Sequence, residues 1–368
     1  MATIAIDATY ALELNPSGIA VYSRRILEAL ADLESPHRFL ACYRLSRFGR
    51  RRGFFRPPRK SARHPEFSVR LYQEPLTFWL PHQAQLFHSL AQRPPGFRFG
   101  KEVVTVLDIF PITGQDYSTP DFRRKFSALL LEAVRRASRI IVPSQYTADQ
   151  LVGNVRVARE KIRIIPLGVE LPGATWSSAE RALERARIVG EGNAMVLSVG
   201  VIQTRKNTLN VLRALELLPP QYRLVLAGGI GFGGEAVYEY IRRKRLEERV
   251  LVLGHVPARR LAELYQAASV FLFPSLEEGF GLPVLEAMAN GLPVVASGTS
   301  SLPEVGGNAA LYADPLDPAD IANKTIRAVE DIGWREEMIR KGAARAKLFP
   351  WRPTAEDTLR VYEEALSD

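Results

Sequence analysis

Residues 273–289 read Phe273-Pro-Ser-Leu-Glu-Glu-Gly-Phe-Gly-Leu-Pro-Val-Leu-Glu-Ala-Met-Ala and are the most informative segment of this chain. The apolar run Val270–Phe273 predicts a short strand, two glycines predict a turn, and Gly281–Asn290 is predicted to be helical. Glycines let backbone N–H groups approach a ligand, and a helix start adds its positive end, so the loop suits an anion. Two carboxylates flank the loop: Glu278 precedes it, and Glu286 lies in the helix.

Strands and helices alternate on both sides of this stretch, which predicts parallel sheets covered by helices on both faces. The region from Gly168 to Glu191 has no strand pattern and is predicted to be a linker. We therefore expect two α/β domains, with ligands bound in a cleft at the carboxyl ends of the strands. The predicted strands include Thr3–Asp7, Arg38–Cys42, Val103–Leu107, Ile140–Pro143, Ile162–Ile165, Met195–Val199, Arg223–Ala227, Val250–Leu253 and Val294–Ala296.

Composition and charge are those of a globular protein with a basic first half. Of the 368 residues, 46% are hydrophobic and 24% are charged. We see no signal-peptide pattern and no apolar run of bilayer length, so we expect a cytoplasmic protein. The single cysteine, Cys42, excludes an intramolecular disulfide and a cysteine-built zinc site. Residues 1–170 carry 26 Lys and Arg against 15 Asp and Glu, so the net charge of +9 originates there.

The segment at residues 273–289 resembles the signature of the family-4 retaining glycosyltransferases, which have the GT-B fold. An ordinary strand, loop and helix with surface glutamates is the alternative, but the order and spacing of further matches argue against chance. Those matches are Gly254-His-Val-Pro, Leu264-Tyr-Gln-Ala-Ala, Gly291-Leu-Pro-Val-Val-Ala-Ser, Ser301-Leu-Pro-Glu-Val-Gly-Gly and Asp314-Pro.

The resemblance implies an α/β GT-B architecture, with two Rossmann-like domains facing each other across a cleft. Residues 1–170 would form the acceptor-binding domain and residues 171–350 the nucleotide-sugar-binding domain. Residues 351–368 would form a C-terminal helix that crosses back and packs on the N-terminal domain.

The resemblance also implies roles for single residues. Glu286 matches the glutamate that holds the ribose hydroxyls of the nucleotide, and Glu278 matches the glutamate that faces the donor sugar near the reacting carbon. Glu304 is a weaker candidate that could serve structure alone. Further donor-binding candidates are Val256, after the strand at 250–253, and the loop amides of Phe280, Gly281 and Leu282.

Arg205 and Lys206 match the basic pair that neutralises the diphosphate leaving group. A departing nucleotide diphosphate gains negative charge in the transition state, so such a pair is chemically required. In other sequence contexts, an Arg-Lys pair before a helix usually belongs to a solvated face of the protein. The sequence has no Asp-x-Asp, and its five histidines show no paired spacing, so we expect no metal ion, with the basic pair in its place. No separate cofactor is expected, and the donor would be a GDP-, TDP- or UDP-sugar.

The first half is less specific to the family. Asn15-Pro-Ser-Gly resembles the glycine-rich loop after the first strand, which predicts that Gly18 contacts the donor at a helix start. A plain helix cap is the alternative.

One position departs from the family pattern. Relatives typically have His-Asp at the end of the strand Val103–Leu107, where this chain has Leu107 and Asp108. In relatives that histidine contacts the donor sugar near its 6-hydroxyl. Either another residue compensates, with His88 as the candidate, or the donor is a 6-deoxyhexose, which an apolar wall suits better. Asp108 remains a candidate for acceptor binding and catalysis.

The stretch from Tyr43 to His64 is basic and aromatic and contains no acidic residue. Such a composition suits an anionic membrane surface or a lipid-diphosphate acceptor, and a solvated loop is an equal alternative. Nucleic acid would suit it too, but no feature that reads bases is present, so no nucleic-acid partner is expected. The residues concerned are Arg44, Arg47, Phe48, Arg50, Arg51, Arg52, Phe54, Phe55, Arg56, Arg59, Lys60 and Arg63.

Together these features predict a retaining, metal-independent glycosyltransferase. It would move a hexosyl or 6-deoxyhexosyl group, mannosyl- or rhamnosyl-type, from a nucleotide-diphosphate sugar to a glycan or lipid-linked acceptor in polysaccharide biosynthesis. The expected location is the cytoplasm, with peripheral association at the inner face of the plasma membrane as a further hypothesis. The alternatives are a GT-B sugar-nucleotide epimerase, a catalytically inactive nucleotide-sugar-binding scaffold, and a two-domain small-molecule binding protein.

Overall fold

The computed structural model describes residues 1–13, 17–54, 66–74, 76–77 and 79–368, which form two compact units. The first unit contains residues 1–113, 120–168 and 350–368. The second contains residues 114–119 and 169–349.

In its described residues, the first unit is built on a parallel sheet of seven strands. These are β1 (Thr3–Asp7), β2 (Arg38–Arg44), β3 (Glu66–Tyr72), β4 (Leu86–Ser89), β5 (Lys101–Thr105), β6 (Arg139–Val142) and β7 (Ile162–Ile164). Their order in the sheet is β3-β2-β1-β4-β5-β6-β7. Helices of this unit are α1 (Gly18–Ala31), α2 (Leu80–Gln83), α3 (Phe110–Thr113), α4 (Pro120–Arg136), α5 (Gln145–Gln150) and the C-terminal helix Trp351–Ser367.

The central strands of this sheet are apolar on both faces because helices cover both. Ile4, Ala5 and Ile6 of β1 are fully buried, as expected for a parallel strand in a doubly covered sheet. The strand order reverses between β1 and β4, so their carboxyl ends form a topological switch point, where α/β sheets usually bind ligands.

The C-terminal helix packs on the first unit, which agrees with the predicted fold class. Thr354 Oγ1 donates a hydrogen bond to the carbonyl of Pro166 at 2.8 Å. Glu364 accepts hydrogen bonds from Arg139 at 3.1 Å and from Arg163 at 2.8 Å. The buried Tyr362 lies against β4 and hydrogen-bonds a histidine of that strand.

The second unit contains a parallel six-stranded sheet within the described ranges. Its strands are β8 (Ala194–Val199), β9 (Tyr222–Ala227), β10 (Val250–Gly254), β11 (Val270–Phe273), β12 (Val294–Ser297) and β13 (Leu311–Ala313), in the order β10-β9-β8-β11-β12-β13. Its helices are α6 (Ser178–Val189), α7 (Thr208–Leu217), α8 (Glu235–Lys244), α9 (Ala258–Ala267), α10 (Leu282–Ala289), α11 (Leu302–Gly306), α12 (Pro318–Glu330) and α13 (Ile332–Ala346).

Local sequence signals set the limits of several helices in the second unit. Helix α6 begins with a capping box, in which Ser177 Oγ accepts from the backbone N–H of Glu180 and the Glu180 carboxylate accepts from the backbone N–H of Ser177. Asp317 caps α12 by accepting from the backbone N–H of Ala319. Such signals fix where a helix starts, whereas the sheet order depends on contacts between distant segments.

The prediction of two parallel α/β sheets is confirmed, but the predicted strands did not include β3, β4 or β13. Strand β3 carries Glu66, Ser68 and Arg70 among its seven residues, and β4 and β13 have four and three residues, too few for a clear pattern.

Candidate functional site

The glycine loop joins β11 to α10 and has a backbone shape that requires glycine at one position. Gly281 has φ of 110°, a left-handed conformation that L-residues rarely adopt. A Cβ atom built there would lie 2.5 Å from Cδ2 of Leu302, so a side chain does not fit. The loop can therefore bring its backbone close to a ligand just before the start of α10.

Serines that follow β12 hold this loop in place. Ser301 Oγ lies 2.8 Å from the carbonyl oxygens of both Glu278 and Phe280. Ser300 Oγ accepts from the backbone N–H of Glu278 at 3.1 Å. The loops at the carboxyl ends of two neighbouring strands thus form one bonded structure, which fixes the position of the Glu278 side chain.

Glu278 is buried and paired with both predicted basic residues. Its Oε1 lies 2.5 Å from Nζ of Lys206, and its Oε2 lies 2.9 Å from Nη1 of Arg205. Burial alone would raise the pKa of Glu278, but the two cations outweigh burial and lower this pKa to about 2. The carboxylate is therefore ionised at neutral pH.

The loop after β8 supplies the two cations. Arg205 and Lys206 lie in a 3-10 turn, Thr204–Lys206, and Asn207 follows in the left-handed conformation with φ of 60°. The Asn207 side-chain amide donates to the carbonyls of Pro274 at 3.0 Å and Pro315 at 2.6 Å. The turn is thereby fixed to the loops after β11 and β13.

Further contacts hold the individual side chains of the basic pair. Arg205 donates to the carbonyl of Glu277, and the Arg205 carbonyl accepts from the backbone N–H of Leu276 at 2.9 Å. Lys206 Nζ lies 4.6 Å from the centre of the Phe273 ring, within the range of a cation–π contact. Arg205 and Lys206 place two fixed positive charges next to the glycine loop, and fixed positive charge favours an anion.

Glu286 lies on α10 and has a different environment. Tyr265, at the end of α9, donates to Glu286 Oε2 at 2.8 Å. Burial raises the pKa of Glu286, the hydrogen bond from Tyr265 opposes this, and the nearby Glu170 raises the pKa further. The net shift is upward, opposite to that of Glu278, so the two glutamates differ in how firmly they hold a negative charge.

The remaining predicted residues fall into the two units. In the second unit, Val256 is half-buried between β10 and α9, and the Glu304 carbonyl accepts from Arg345 at 2.5 Å. In the first unit, Leu107 and Asp108 follow β5 and are half-buried, and Gly18 begins α1. The predicted turn at Asn15–Gly18 lies partly outside the described residues, because residues 14–16 are not among them. Ser17 Oγ donates to Glu13 at 2.6 Å.

The sequence analysis missed several residues that shape the site. Glu277 is buried, and its carbonyl accepts a hydrogen bond from Arg205. Ser300 and Ser301 hold the glycine loop. Tyr265 orients Glu286. Their side chains or backbone groups form hydrogen bonds to segments that are far away in the sequence. The matching motifs contain Glu277, Tyr265 and Ser301, but no local pattern gave any of them a role.

His88 does not compensate for Leu107, so that hypothesis is wrong. His88 is fully buried, with Nδ1 2.6 Å from the hydroxyl of Tyr362 and Nε2 2.9 Å from Oγ1 of Thr105. Thr105 Oγ1 also lies 2.9 Å from the Tyr22 hydroxyl. Burial lowers the pKa of His88 to about 3, so the ring is neutral. Both ring nitrogens serve the core of the first unit.

Arg44 is half-buried and paired with two carboxylates rather than part of an exposed basic surface, which corrects part of that prediction. Its guanidinium lies 3.8 Å from Asp7 and 3.5 Å from Glu74, and 5.2 Å from the centre of the Tyr72 ring. Tyr72 in turn donates to Asp7 at 3.3 Å.

The next part of the basic stretch forms 3-10 turns over Leu45–Gly53. In this part Arg47, Arg50, Arg52 and Phe48 are exposed, and Phe54 stacks on the buried Tyr43 with ring centres 4.5 Å apart. The remaining residues named in this prediction lie outside the described residues: Phe55, Arg56, Arg59, Lys60 and Arg63. The side chain of Arg51 lies outside the description as well.

Within the described ranges, no helix has the length and hydropathy needed to cross a membrane. The same ranges contain no group of three or more His, Cys, Asp or Glu side chains placed to hold a metal ion.

Comparison with known proteins identifies the family and the fold of this chain. The family model described as Glycosyl transferases group 1 matches residues 181–345, and the one described as Glycosyltransferase Family 4 matches residues 16–171. The O-antigen chain mannosyltransferase B of Escherichia coli is 32% identical over 313 residues, which are 83% of this chain and 77% of the relative.

Two solved structures illustrate the fold. Sucrose-phosphate synthase from Thermosynechococcus elongatus superposes with a TM-score of 0.77 at 22% identity, over the full length of both chains. Anabaena HepE in complex with UDP and glucose superposes with a TM-score of 0.76 at 20% identity, over 99% of this chain and 100% of that chain. At such identity the likeness shows the fold, and that fold is GT-B.

Proposed function

Because the chain belongs to the family-4 GT-B glycosyltransferases, we propose that it transfers a hexosyl or 6-deoxyhexosyl group from a nucleotide-diphosphate sugar to a glycan or lipid-linked acceptor, with retention of configuration and without a metal ion. The reaction would serve polysaccharide biosynthesis. The mannosyltransferase relative supports this assignment, and the observation that carries it is the contact of Glu278 with both Arg205 and Lys206 beside the glycine loop.

The basic pair is proposed to stabilise the leaving group. As the bond between sugar and diphosphate breaks, negative charge grows on the diphosphate, and fixed cations stabilise this charge most when they need not reorganise. Arg205 and Lys206 are fixed by their turn, by Asn207 and by the Glu277 carbonyl. They would supply the positive charge for which other enzymes use a divalent cation.

Glu278 is proposed to face the donor sugar. An ionised carboxylate accepts hydrogen bonds from sugar hydroxyls, and its negative charge favours the positive charge that develops on the ring when the diphosphate departs. The lowered pKa of Glu278 keeps it in this form. The amides of Phe280, Gly281 and Leu282 would bind hydroxyl or phosphate oxygens at the start of α10.

Glu286 is proposed to hold the ribose of the nucleotide. Tyr265 occupies Oε2 from one side, which leaves the carboxyl group in a defined orientation. Val256, after β10, is proposed to contact the nucleotide, and Gly18 and Asp108 are proposed to contact donor and acceptor from the first unit.

The donor sugar is proposed to be mannosyl- or rhamnosyl-type. The mannosyltransferase relative supports the first, and Leu107, an apolar side chain where the family resemblance implies a histidine, supports a sugar that lacks the 6-hydroxyl. GDP, TDP and UDP are all retained as the nucleotide, since the described contacts do not select a base.

An anionic membrane surface is proposed as a partner of the basic stretch. Arg47, Arg50 and Arg52 are exposed beside the exposed Phe48, a combination that suits anionic lipid headgroups. Sedimentation with vesicles of phosphatidylglycerol or phosphatidylcholine tests this proposal. Equal binding to both vesicles, or undiminished binding after Arg47, Arg50 and Arg52 are changed to Glu, would overturn it.

The proposed transfer is tested with a panel of nucleotide sugars and a double variant of the basic pair. We expect GDP-mannose, TDP-rhamnose or a UDP-hexose to raise the melting temperature, and the R205A/K206A variant to lose most of this shift and of turnover. Arg259→Ala is the matched control, because Arg259 is 94% exposed on α9 of the same unit. Full turnover by the double variant would refute the proposal.

Two further readouts separate the transferase from its alternatives. Nucleotide release that depends on acceptor distinguishes transfer from epimerisation and from passive binding. The anomeric configuration of the product, determined by NMR, establishes retention or inversion.

A further inference from the structure

A row of three buried aromatic side chains joins Glu286 to Lys206. Tyr265 belongs to α9, and its ring centre lies 5.6 Å from that of Phe271 in an edge-to-face arrangement. Phe271 in turn stacks on Phe273, with ring centres 5.5 Å apart and planes inclined by 20°. All three residues are at most 2% exposed. We call Tyr265, Phe271 and Phe273 the aromatic row.

Strand β11 places two members of the row on one face of the second sheet. Successive side chains of a strand point to opposite faces, so Phe271 and Phe273 share a face. Val270 and Leu272, the residues that alternate with them, pack into the hydrophobic core formed with α7 and α12. The aromatic row therefore lies on the other face of the sheet, where α9 brings Tyr265 against Phe271.

Tyr265 connects the row to Glu286. Its hydroxyl donates to Glu286 Oε2 at 2.8 Å. Burial and the nearby Glu286 raise the pKa of Tyr265 well above its ordinary value, so the hydroxyl keeps its proton and remains a donor. The Tyr265 ring is itself held by its edge-to-face contact with Phe271. This end of the row therefore fixes the direction in which Glu286 presents its carboxyl group.

Phe273 connects the row to Lys206. The Nζ atom of Lys206 lies 4.6 Å from the centre of the Phe273 ring and 2.5 Å from Glu278 Oε1. The lysine stem lies against Gly200, because a Cβ built on Gly200 would be 3.4 Å from Cε of Lys206. A lysine stem is flexible, and a ring face in contact with the ammonium group limits the positions that this group can take. This end of the row therefore restrains the cation.

We propose that the aromatic row positions both ends of the donor site, an inference that rests on the proposed function. Glu286 is the proposed partner of the ribose, and Lys206 belongs to the proposed partner of the diphosphate. In a nucleoside diphosphate the sugar hydroxyls and the phosphates are joined by a short chain of bonds. Two protein groups bind such a molecule best when their separation is fixed before binding. The members of the row act through Glu286 and Lys206, so they are positioning residues rather than catalytic ones.

Tyr265→Phe tests the ribose end, because it removes one hydroxyl and keeps the ring. Calorimetry with GDP, UDP and TDP beside their 2′,3′-dideoxy forms measures how strongly the protein prefers a nucleotide with hydroxyls on its pentose. We expect this preference to fall about 10-fold in Tyr265→Phe. Tyr222→Phe is the matched control, since Tyr222 donates to the Glu330 carboxylate at 2.9 Å in the same unit. An unchanged preference in Tyr265→Phe would overturn the inference.

The pH dependence of nucleotide affinity is a readout that a purely structural role of Tyr265 would not change. Ionised Glu286 accepts hydrogen bonds, so affinity should be full above its raised pKa and should fall as the pH drops through it. Within the described residues, Tyr265 lowers this pKa by its hydrogen bond and Glu170 raises it by its charge. Tyr265→Phe removes the lowering contact, so the loss of affinity should begin at a higher pH. Identical profiles for wild type and variant would contradict the inference.

Phe273→Leu tests the diphosphate end. We expect the preference for UDP over UMP, or for GDP over GMP, to fall about 3- to 10-fold, because a cation–π contact is lost. The preference for pentose hydroxyls should not change, and Phe273→Tyr, which keeps the ring, should bind like the wild type. Phe271→Leu, at the middle of the row, should lower both preferences. No effect on one or both of them would reduce the row to separate contacts and overturn the inference.

NMR of the protein without ligand separates this inference from the proposed function. The ε-methylene protons of Lys206 should show a ring-current shift that disappears in Phe273→Leu, and the carboxyl carbon of Glu286 should titrate at a higher pH in Tyr265→Phe. If both changes are found but the wild type binds none of these nucleotides, the proposed function fails and the positioning of Glu286 and Lys206 stands. If nucleotides bind but either change is missing, the proposed function stands and the inference is overturned.

Discussion

Lys206 Nζ lies 2.5 Å from Glu278 Oε1, although 72 positions separate the two residues in the chain. Arg205 holds the second carboxylate oxygen at 2.9 Å. A buried carboxylate shared by two cations keeps all three side chains in fixed positions, and the free energy of that arrangement depends on every member.

Glu278→Gln should lower kcat by about 10²- to 10³-fold, the size of effect seen when one preorganised electrostatic group is removed. Binding of UDP or GDP should be equal or tighter, because the amide no longer competes with phosphate for Arg205 and Lys206. Turnover and calorimetric nucleotide affinity measure the two effects. Glu247→Gln, at an exposed position of the same unit, is the control. Equal losses of kcat and nucleotide affinity would contradict a role of Glu278 toward the sugar.

Stability should fall in acid because of Glu278. Its pKa is lowered in the folded protein to about 2, below the ordinary value of 4.5. In this pH range the unfolded chain binds more protons than the folded one, so the stabilisation is complete above about pH 5 and is lost as pH falls toward 2. Urea unfolding of the wild type and Glu278→Gln at pH 6, 5, 4 and 3 measures this loss. The difference between them should shrink as pH falls, and a constant difference would contradict the assignment.

Gly281→Ala should destabilise the protein by about 1–3 kcal/mol and reduce turnover, because the left-handed backbone and the Leu302 side chain both exclude a Cβ. Thermal unfolding and kcat report the effects. Gly173→Ala is the matched control, since a Cβ at Gly173 meets nothing within 4 Å. Wild-type stability in Gly281→Ala would mean that the loop relaxes at little cost.

Tyr362→Phe should cost about 1–3 kcal/mol of unfolding free energy, because it leaves Nδ1 of the buried His88 without its hydroxyl partner. The loss should appear in urea unfolding, together with faster amide exchange along the C-terminal helix. Tyr238→Phe, at a half-buried position on α8, should leave both measurements unchanged. An unaltered exchange rate in Tyr362→Phe would show that the helix is held by its other contacts.

Leu107→His should improve use of a hexose donor at the expense of a 6-deoxyhexose donor. An imidazole offers the 6-hydroxyl a hydrogen-bond partner, and a donor without that hydroxyl leaves the imidazole unpaired. The ratio of kcat/KM for GDP-mannose and TDP-rhamnose is the measurement, with Leu107→Met as the apolar control. If neither substitution changes this ratio, Leu107 does not determine which donor sugar the protein uses.

The two parallel α/β sheets, the glycine loop and the residues around it could be predicted from the amino-acid sequence. These features are local: a strand, a turn that needs glycine at 281, and a helix start follow one another within residues 273–289. The motifs of the second half that match the family predict Glu278, Arg205 and Lys206 as site residues, but they do not predict the contacts among them.

The contacts between side chains of distant segments depend on the folded arrangement of the strands and their loops. The strand order brings the loops after β8, β11 and β12 together, and this gave Glu278 its two cations and its serine supports. Contacts between distant segments also hold His88 in the core, where the sequence suggested a contact with the donor. They pair Arg44 with Asp7, where the sequence suggested an exposed basic surface. Local periodicity records which face of a strand is buried, whereas pairing across a sheet depends on strand order and on the burial of whole segments, which no short window of sequence contains.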